Sequence, residues 1–234
     1  MKTLFPAALL VAMMGSSAMA QDTQPVNTKT IRAQSGAQPT TALSAGKTAL
    51  IVIDIQNEYY AGKGFRGKMV IPDGRAVLEN SKKLVDFAHK HRMPVYFVRH
   101  VGAKGGPLFA AGSVYAEFHR ELQPTAQDAV IEKATPSAFV ATDLDAQLKK
   151  QGVTTLLVAG LMTHMCVSST ARDAVPLGYS VLIAGDATAT RDLDDGAGGV
   201  VDHRVLQRAA LAGVADVFAE IHSTQDILSL PVSR

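Results

Sequence analysis

Three residues carry types and positions that fit one piece of chemistry. Cys166 is the only cysteine in the chain. It follows an apolar run at 154–161 and a short turn at 162–165, and a helical stretch, 166–175, begins with it. A thiol at a helix N-terminus meets the positive end of the dipole and free backbone N–H groups, which favour the nucleophilic thiolate. A free cysteine is also an ordinary small buried hydrophobe. Asp54 ends a first apolar run, in IVIDIQNEYY. A carboxylate among Ile and Val costs free energy unless it is partnered, and it also serves as a turn or helix cap. Lys133 follows a third apolar run, in VIEKATPSAF, where a solvated loop lysine is the bland alternative. Together the three make a nucleophile, its base and a cation. Asp54 accepts the thiol proton, and Lys133 holds the carboxylate and steadies the thiolate. The N–H of Cys166 and another from the turn receive a developing oxyanion.

That chemistry needs elements that bring the three together. Short apolar runs are predicted as strands at 49–55, 94–101, 129–132, 154–161, 180–184 and 217–221. Helical patterns fall at 75–91, 144–151, 166–175 and 199–212. Near-continuous apolar strands alternating with helices predict a doubly wound, Rossmann-like α/β fold, with a six-stranded, mainly parallel sheet covered on both faces. Such sheets gather functional groups at the carboxyl ends of their strands, where strand order reverses. Asp54, Lys133 and Cys166 each follow a predicted strand and share that edge.

Composition narrows the classes. Lys2, an apolar run over 4–14 and Ala18-Met19-Ala20 read as a secretory signal peptide over 1–20, too short for a membrane span. The expected product is a soluble periplasmic or secreted chain with no membrane attachment after cleavage. Residues 21–46 are rich in Gln, Thr, Ser and Ala and read as a flexible leader before one domain over 47–234. A formal charge of +2 without a basic run argues against a nucleic-acid partner. One cysteine rules out a disulfide scaffold. The expected partners are a small-molecule substrate and further copies of the chain in a homo-oligomer.

The Asp block IVIDIQN, the Lys block EKATPSAF and the Cys block AGLMTHMCVSSTARDAVPLGY resemble the isochorismatase-like cysteine hydrolases over about residues 47–228. The resemblance implies an Asp54–Lys133–Cys166 triad and a cis peptide between Leu161 and Met162. It implies oxyanion donors at the N–H groups of Met162 and Cys166. Relatives that hydrolyse nicotinamide carry a metal set of one Asp and several His. The stretch after the first strand here, 57–66, has no histidine, and oxygen ligands alone hold a transition metal poorly. No metal and no other cofactor is therefore expected. With the cysteine present, the implied reaction is hydrolysis of an amide-like C–N bond through a thioester. An exported small-molecule-binding or thiol-reactive protein on the same scaffold is the alternative, and retention of all three triad residues argues against it. Tyr59, Tyr60, Phe65 and Phe139 are expected as pocket walls. Arg99, His100 and His164 are expected near a polar substrate, with a backbone-supporting role open for His164. The acidic loop Asp192, Asp194, Asp195 reads as solvated, with a lid role open.

Overall fold

A computed structural model describes residues 27–62 and 65–234; the expected signal peptide and the Phe65 side chain lie outside what is described. The sheet strands are β1 (Thr48–Ile53), β2 (Val95–His100), β3 (Ala129–Lys133), β4 (Thr155–Leu161), β5 (Ser180–Ala189) and β6 (Glu220–His222). They pair in the order β6-β5-β4-β1-β2-β3, every pair parallel. The chain thus builds outward from β1 through β2 to β3, then crosses back to lay β4 on the other side of β1. The order reverses between β1 and β4, and it is at the carboxyl ends of such strands that sheets of this kind gather functional groups.

All six residues of β1 are buried, as expected of a strand covered on both faces. Its alternation divides them between two cores. Leu50 and Val52 pack with Val77, Leu78 and Leu84 of helix α1 (Gly74–Lys90). Ala49, Ile51 and Ile53 pack with Leu144 and Leu148 of α2 (Leu144–Lys150) and Ala171 of α3 (Ser168–Ala174). Burying a side chain such as Leu84 contributes about 1.5–3 kcal/mol. Helices α4 (His203–Ala215) and α5 (Thr224–Ser229) complete the layers.

β1 and β4 approach so closely that the register pairs Ile53 with Gly160. Gly160 has φ +122°, and a Cβ there would lie 1.9 Å from the Ile53 carbonyl oxygen. Only glycine satisfies both demands.

Several elements differ from the sequence expectation. β5 runs on to Ala189, five residues past its predicted end, and β6 starts later, at Glu220. Helix α4 starts at His203 because Asp202 caps it, accepting from the Arg204 N–H. The leader composition suggested a segment without fixed contacts. Instead, the Ile31 N–H bonds Asp216, Arg32 pairs with Glu220 at 3.1 Å, and Leu43–Ser44 pairs with Val232–Ser233.

Candidate active site

The site is assembled by strand ends. Asp54 follows β1 with φ +51°, and its N–H donates to the Val98 carbonyl. Lys133 closes β3, and the β2–β3 register sets it beside His100 while setting Glu132 beside Arg99. Neighbours along a strand point to opposite faces, so His100 and Lys133 share one face and Arg99 and Glu132 the other. The Leu161–Met162 peptide that ends β4 is cis. A π-helical turn, Thr163–Val167, then carries Cys166, and α3 begins only at Ser168. The expectation that Cys166 opens an α-helix is corrected accordingly.

The three side chains meet. The Lys133 ammonium donates to Asp54 Oδ2 at 2.7 Å and to Cys166 Sγ at 3.3 Å. It also lies 3.4 Å from His100 Nδ1. The Asp54 and Lys133 side chains are fully buried and Cys166 is 5 % exposed. Asp54 Oδ1 is buried with no hydrogen-bond partner. The segment after Lys133 is tied to the helix after Cys166 by the Ala138 N–H, which bonds Thr170 Oγ1 at 3.0 Å.

Electrostatics correct the expectation of a resting thiolate. Burial pushes the Cys166 thiol up to about 12; the Asp54 charge adds to this and Lys133 opposes it. Burial likewise raises Asp54, against the pull of Lys133. Burial alone lowers Lys133, but Asp54 and Cys166 outweigh it and hold the ammonium above its ordinary value. Near neutral pH the Cys166 thiol is therefore neutral and the Lys133 ammonium charged. A proton passing from Cys166 to Asp54 leaves the net charge unchanged. It therefore adds no new unpaired charge to a dry site.

The expected pocket residues divide. Tyr59 is buried, packs edge-on to Phe109 at 5.2 Å, and feels the site directly. Burial raises its hydroxyl pKa, the Asp54 and Cys166 charges add to it, and Arg191 counters. His164 bonds Thr190 through Nδ1, and burial, then Arg191, keeps it below its ordinary value. Three others face elsewhere. Tyr60 packs tilted against His119 at 4.6 Å and, with Tyr59, lines a cavity of about 510 Å³ that contains no triad residue. Phe139 stacks on Tyr179, outside the triad. Arg99 is spent on Glu132 and Glu117 on the opposite face.

Sequence reasoning overlooked Arg191. Its Nε is buried without a partner, and its charge bears on both Tyr59 and His164. Ending β5 at 184 hid it; a strand run to Ala189 puts Arg191 at the same edge as the triad. Among the described residues, one group could gather three metal-ligand atoms: Asp192, Asp202 and His203. It lies on the surface, where Asp192 bonds His203 and Asp202 caps α4.

The chain matches the Isochorismatase domain over residues 48–226. It is 36% identical over 196 residues to the secreted isochorismatase effector Isc1 of Verticillium dahliae, spanning 84% of this chain and 97% of that protein. It is 30% identical over 217 residues to the ureidoacrylate amidohydrolase RutB of Acinetobacter baylyi, spanning 80% and 84% respectively. The crystal structure of an isochorismatase from Pseudomonas putida superposes with a TM-score of 0.77 at 33% identity, covering 84% of this chain and 97% of that one. A domain match across most of the chain, relatives matched over most of their own length and the shared parallel-sheet fold place this chain in the isochorismatase family of hydrolases.

Proposed function

We propose that this chain is a metal-independent cysteine amidohydrolase that cleaves a C–N bond of a small molecule. The observation that carries the reading is the buried Lys133 ammonium set between Asp54 and Cys166. Asp54, whose Oδ1 is unpartnered, takes the thiol proton. The thiolate attacks the carbonyl carbon, and the oxyanion is met by the N–H groups of Met162 and Cys166. The Met162 N–H makes no backbone hydrogen bond among the described residues. Asp54 returns the proton to the leaving nitrogen as the C–N bond breaks, leaving a Cys166 thioester. Asp54 then deprotonates water, which attacks the thioester, and the released thiolate is reprotonated.

Arg191 favours a substrate that carries a carboxylate near the scissile amide or ureido group. An unpartnered guanidinium donor beside Tyr59 and His164 is suited to such an anion. The likeness to an amidohydrolase of ureidoacrylate supports this class. The test is a panel of primary amides, ureides and carbamoyl compounds, each with and without a carboxylate, followed by mass spectrometry of the denatured protein. Turnover with an acyl adduct on Cys166 is expected, with carboxylated members favoured and Arg191→Ala raising KM for them. Chelation with EDTA is expected to leave the rate unchanged. Turnover that persists in Cys166→Ala rules out the covalent route.

The likeness to a secreted isochorismatase effector favours a second reading, hydrolysis of a vinyl ether on the same scaffold. Activity confined to a vinyl-ether dicarboxylate, and retained without Cys166, selects it. That likeness and the expected signal peptide at 1–20 also support export, which N-terminal sequencing of protein recovered outside the cytoplasm checks. Sedimentation tests the homo-oligomer.

A further inference from the structure

The Lys133 ammonium has three N–H donors. Asp54 Oδ2 takes one at 2.7 Å and Cys166 Sγ a second at 3.3 Å. The third group within reach is His100 Nδ1, at 3.4 Å. The register makes this meeting obligatory, because His100 and Lys133 are paired residues on neighbouring strands.

The His100 ring is held from several sides. Gln56 clasps its backbone, accepting from the His100 N–H at 2.8 Å and donating to its carbonyl at 2.8 Å. Phe109 packs on the ring at 5.1 Å, and Glu58 fixes Phe109 by accepting its N–H at 3.0 Å. The charged groups that bear on the ring are Lys133 and Asp54, and the Thr135 backbone offers it an acceptor. Burial, then Lys133, lowers its affinity for a proton. A neutral ring that carries its proton on Nε2 leaves Nδ1 free as an acceptor toward Lys133.

We infer that His100 is a positioning residue for the cysteine chemistry proposed above: its Nδ1 takes the third N–H of Lys133 and fixes the ammonium over Asp54 and Cys166. The inference rests on that reading but is read without any substrate, through the rate at which iodoacetamide alkylates Cys166. Lys133 lowers the thiol pKa, so a displaced ammonium leaves less thiolate.

The experiment compares the intact protein with His100→Phe, His100→Leu and His100→Asn across pH 6 to about 10. Phe keeps a ring against Phe109 and Leu keeps bulk, but neither offers an acceptor. Asn places an oxygen near the position of Nδ1. Alkylation is expected to slow about tenfold in the Phe and Leu variants, with its pH profile shifted upward, and to recover within about threefold in Asn. Melting temperature is followed in parallel, and either acceptorless variant that folds suffices. Phe or Leu alkylating at the wild-type rate overturns the inference. So does an Asn variant as slow as Phe, because His100 would then act only through its shape. A wild-type protein that alkylates in the expected ladder but turns over no member of the panel overturns the amidohydrolase reading alone.

Discussion

Asp54 and Glu58 are both buried carboxylates, one at the end of β1 and one in the loop it feeds, yet they are treated differently. Both Glu58 oxygens are occupied: Oε1 accepts the Lys68 N–H at 2.6 Å and Oε2 the Phe109 N–H at 3.0 Å. Glu58 thereby stitches two loops together. Asp54 has one oxygen on Lys133 and one with no partner. A buried polar atom left open costs free energy, and native proteins carry few of them. The same segment therefore holds one carboxylate finished as structure and one left poised. Other buried polar atoms are also left open, Ser81 Oγ and Gln207 Oε1 among them, and the Asp54 oxygen is set apart by its place in the Lys133–Cys166 cluster.

The largest effect that tests this contrast is on turnover. Cys166→Ala and Asp54→Asn are each expected to lower kcat by at least about 10⁴-fold with the fold retained, as losses of a nucleophile or its base do. The two then part. In Asp54→Asn burial still raises the thiol, but the Asp54 charge that adds to it is gone and Lys133 remains beside it. Iodoacetamide should label Cys166 faster near neutral pH than in the wild type, although turnover is lost. Slower labelling in that variant contradicts the account of Asp54 as a base that holds the thiol protonated.

The next effect is on stability. Lys133→Met leaves the Asp54 carboxylate buried without its cation, and breaking a buried pair in this way costs about 3–5 kcal/mol. The sign with pH follows from the direction of the Lys133 shift. Its folded pKa is raised, so its contribution is complete below the ordinary 10.5 and fades as pH rises through the folded value. Denaturant unfolding of the wild type should weaken on that alkaline limb, and the Met variant should lack it. Matching alkaline limbs in the two proteins contradict the pairing.

A smaller loss is expected at the finished carboxylate. Glu58→Gln turns one acceptor into a donor, so only one of the two backbone N–H groups keeps its partner. About 1–3 kcal/mol should be lost. Calorimetry measures it, and an unchanged melting temperature shows that the two loops do not depend on Glu58.

Much of this was legible in sequence, and the reasons for the rest are specific. The central strands announced themselves through uninterrupted apolar runs, and the triad through its place after three of them. Taken alone, Lys133 reads more readily as a solvated loop residue, because its burial comes from pairing with β2, which no local pattern reports. The resting thiol was misjudged because dipole arguments act over one turn, whereas desolvation here comes from the whole core around Cys166. Arg191 was hidden by a strand ended early at Gly185 and Asp186, residues that usually mark a turn and here lie within β5.

Arg99 was open to correction from sequence alone. It precedes His100 in one strand, and adjacent strand residues cannot both face the triad. The smallest predicted effect follows, and it extends the contrast from carboxylates to arginines. Arg99 is met by Glu132 and Glu117, while Arg191 keeps a buried Nε without a partner. Exposed pairs of the Arg99 kind contribute about 0–1 kcal/mol. Arg99→Ala should therefore leave kcat and KM at wild-type values and shift stability only slightly, on the same panel where Arg191→Ala raises KM for carboxylated substrates. Steady-state kinetics on the two variants side by side decides it. A KM defect in the Arg99 variant as large as in the Arg191 variant means that partner satisfaction does not distinguish the arginine that reads the substrate from the one that braces the sheet.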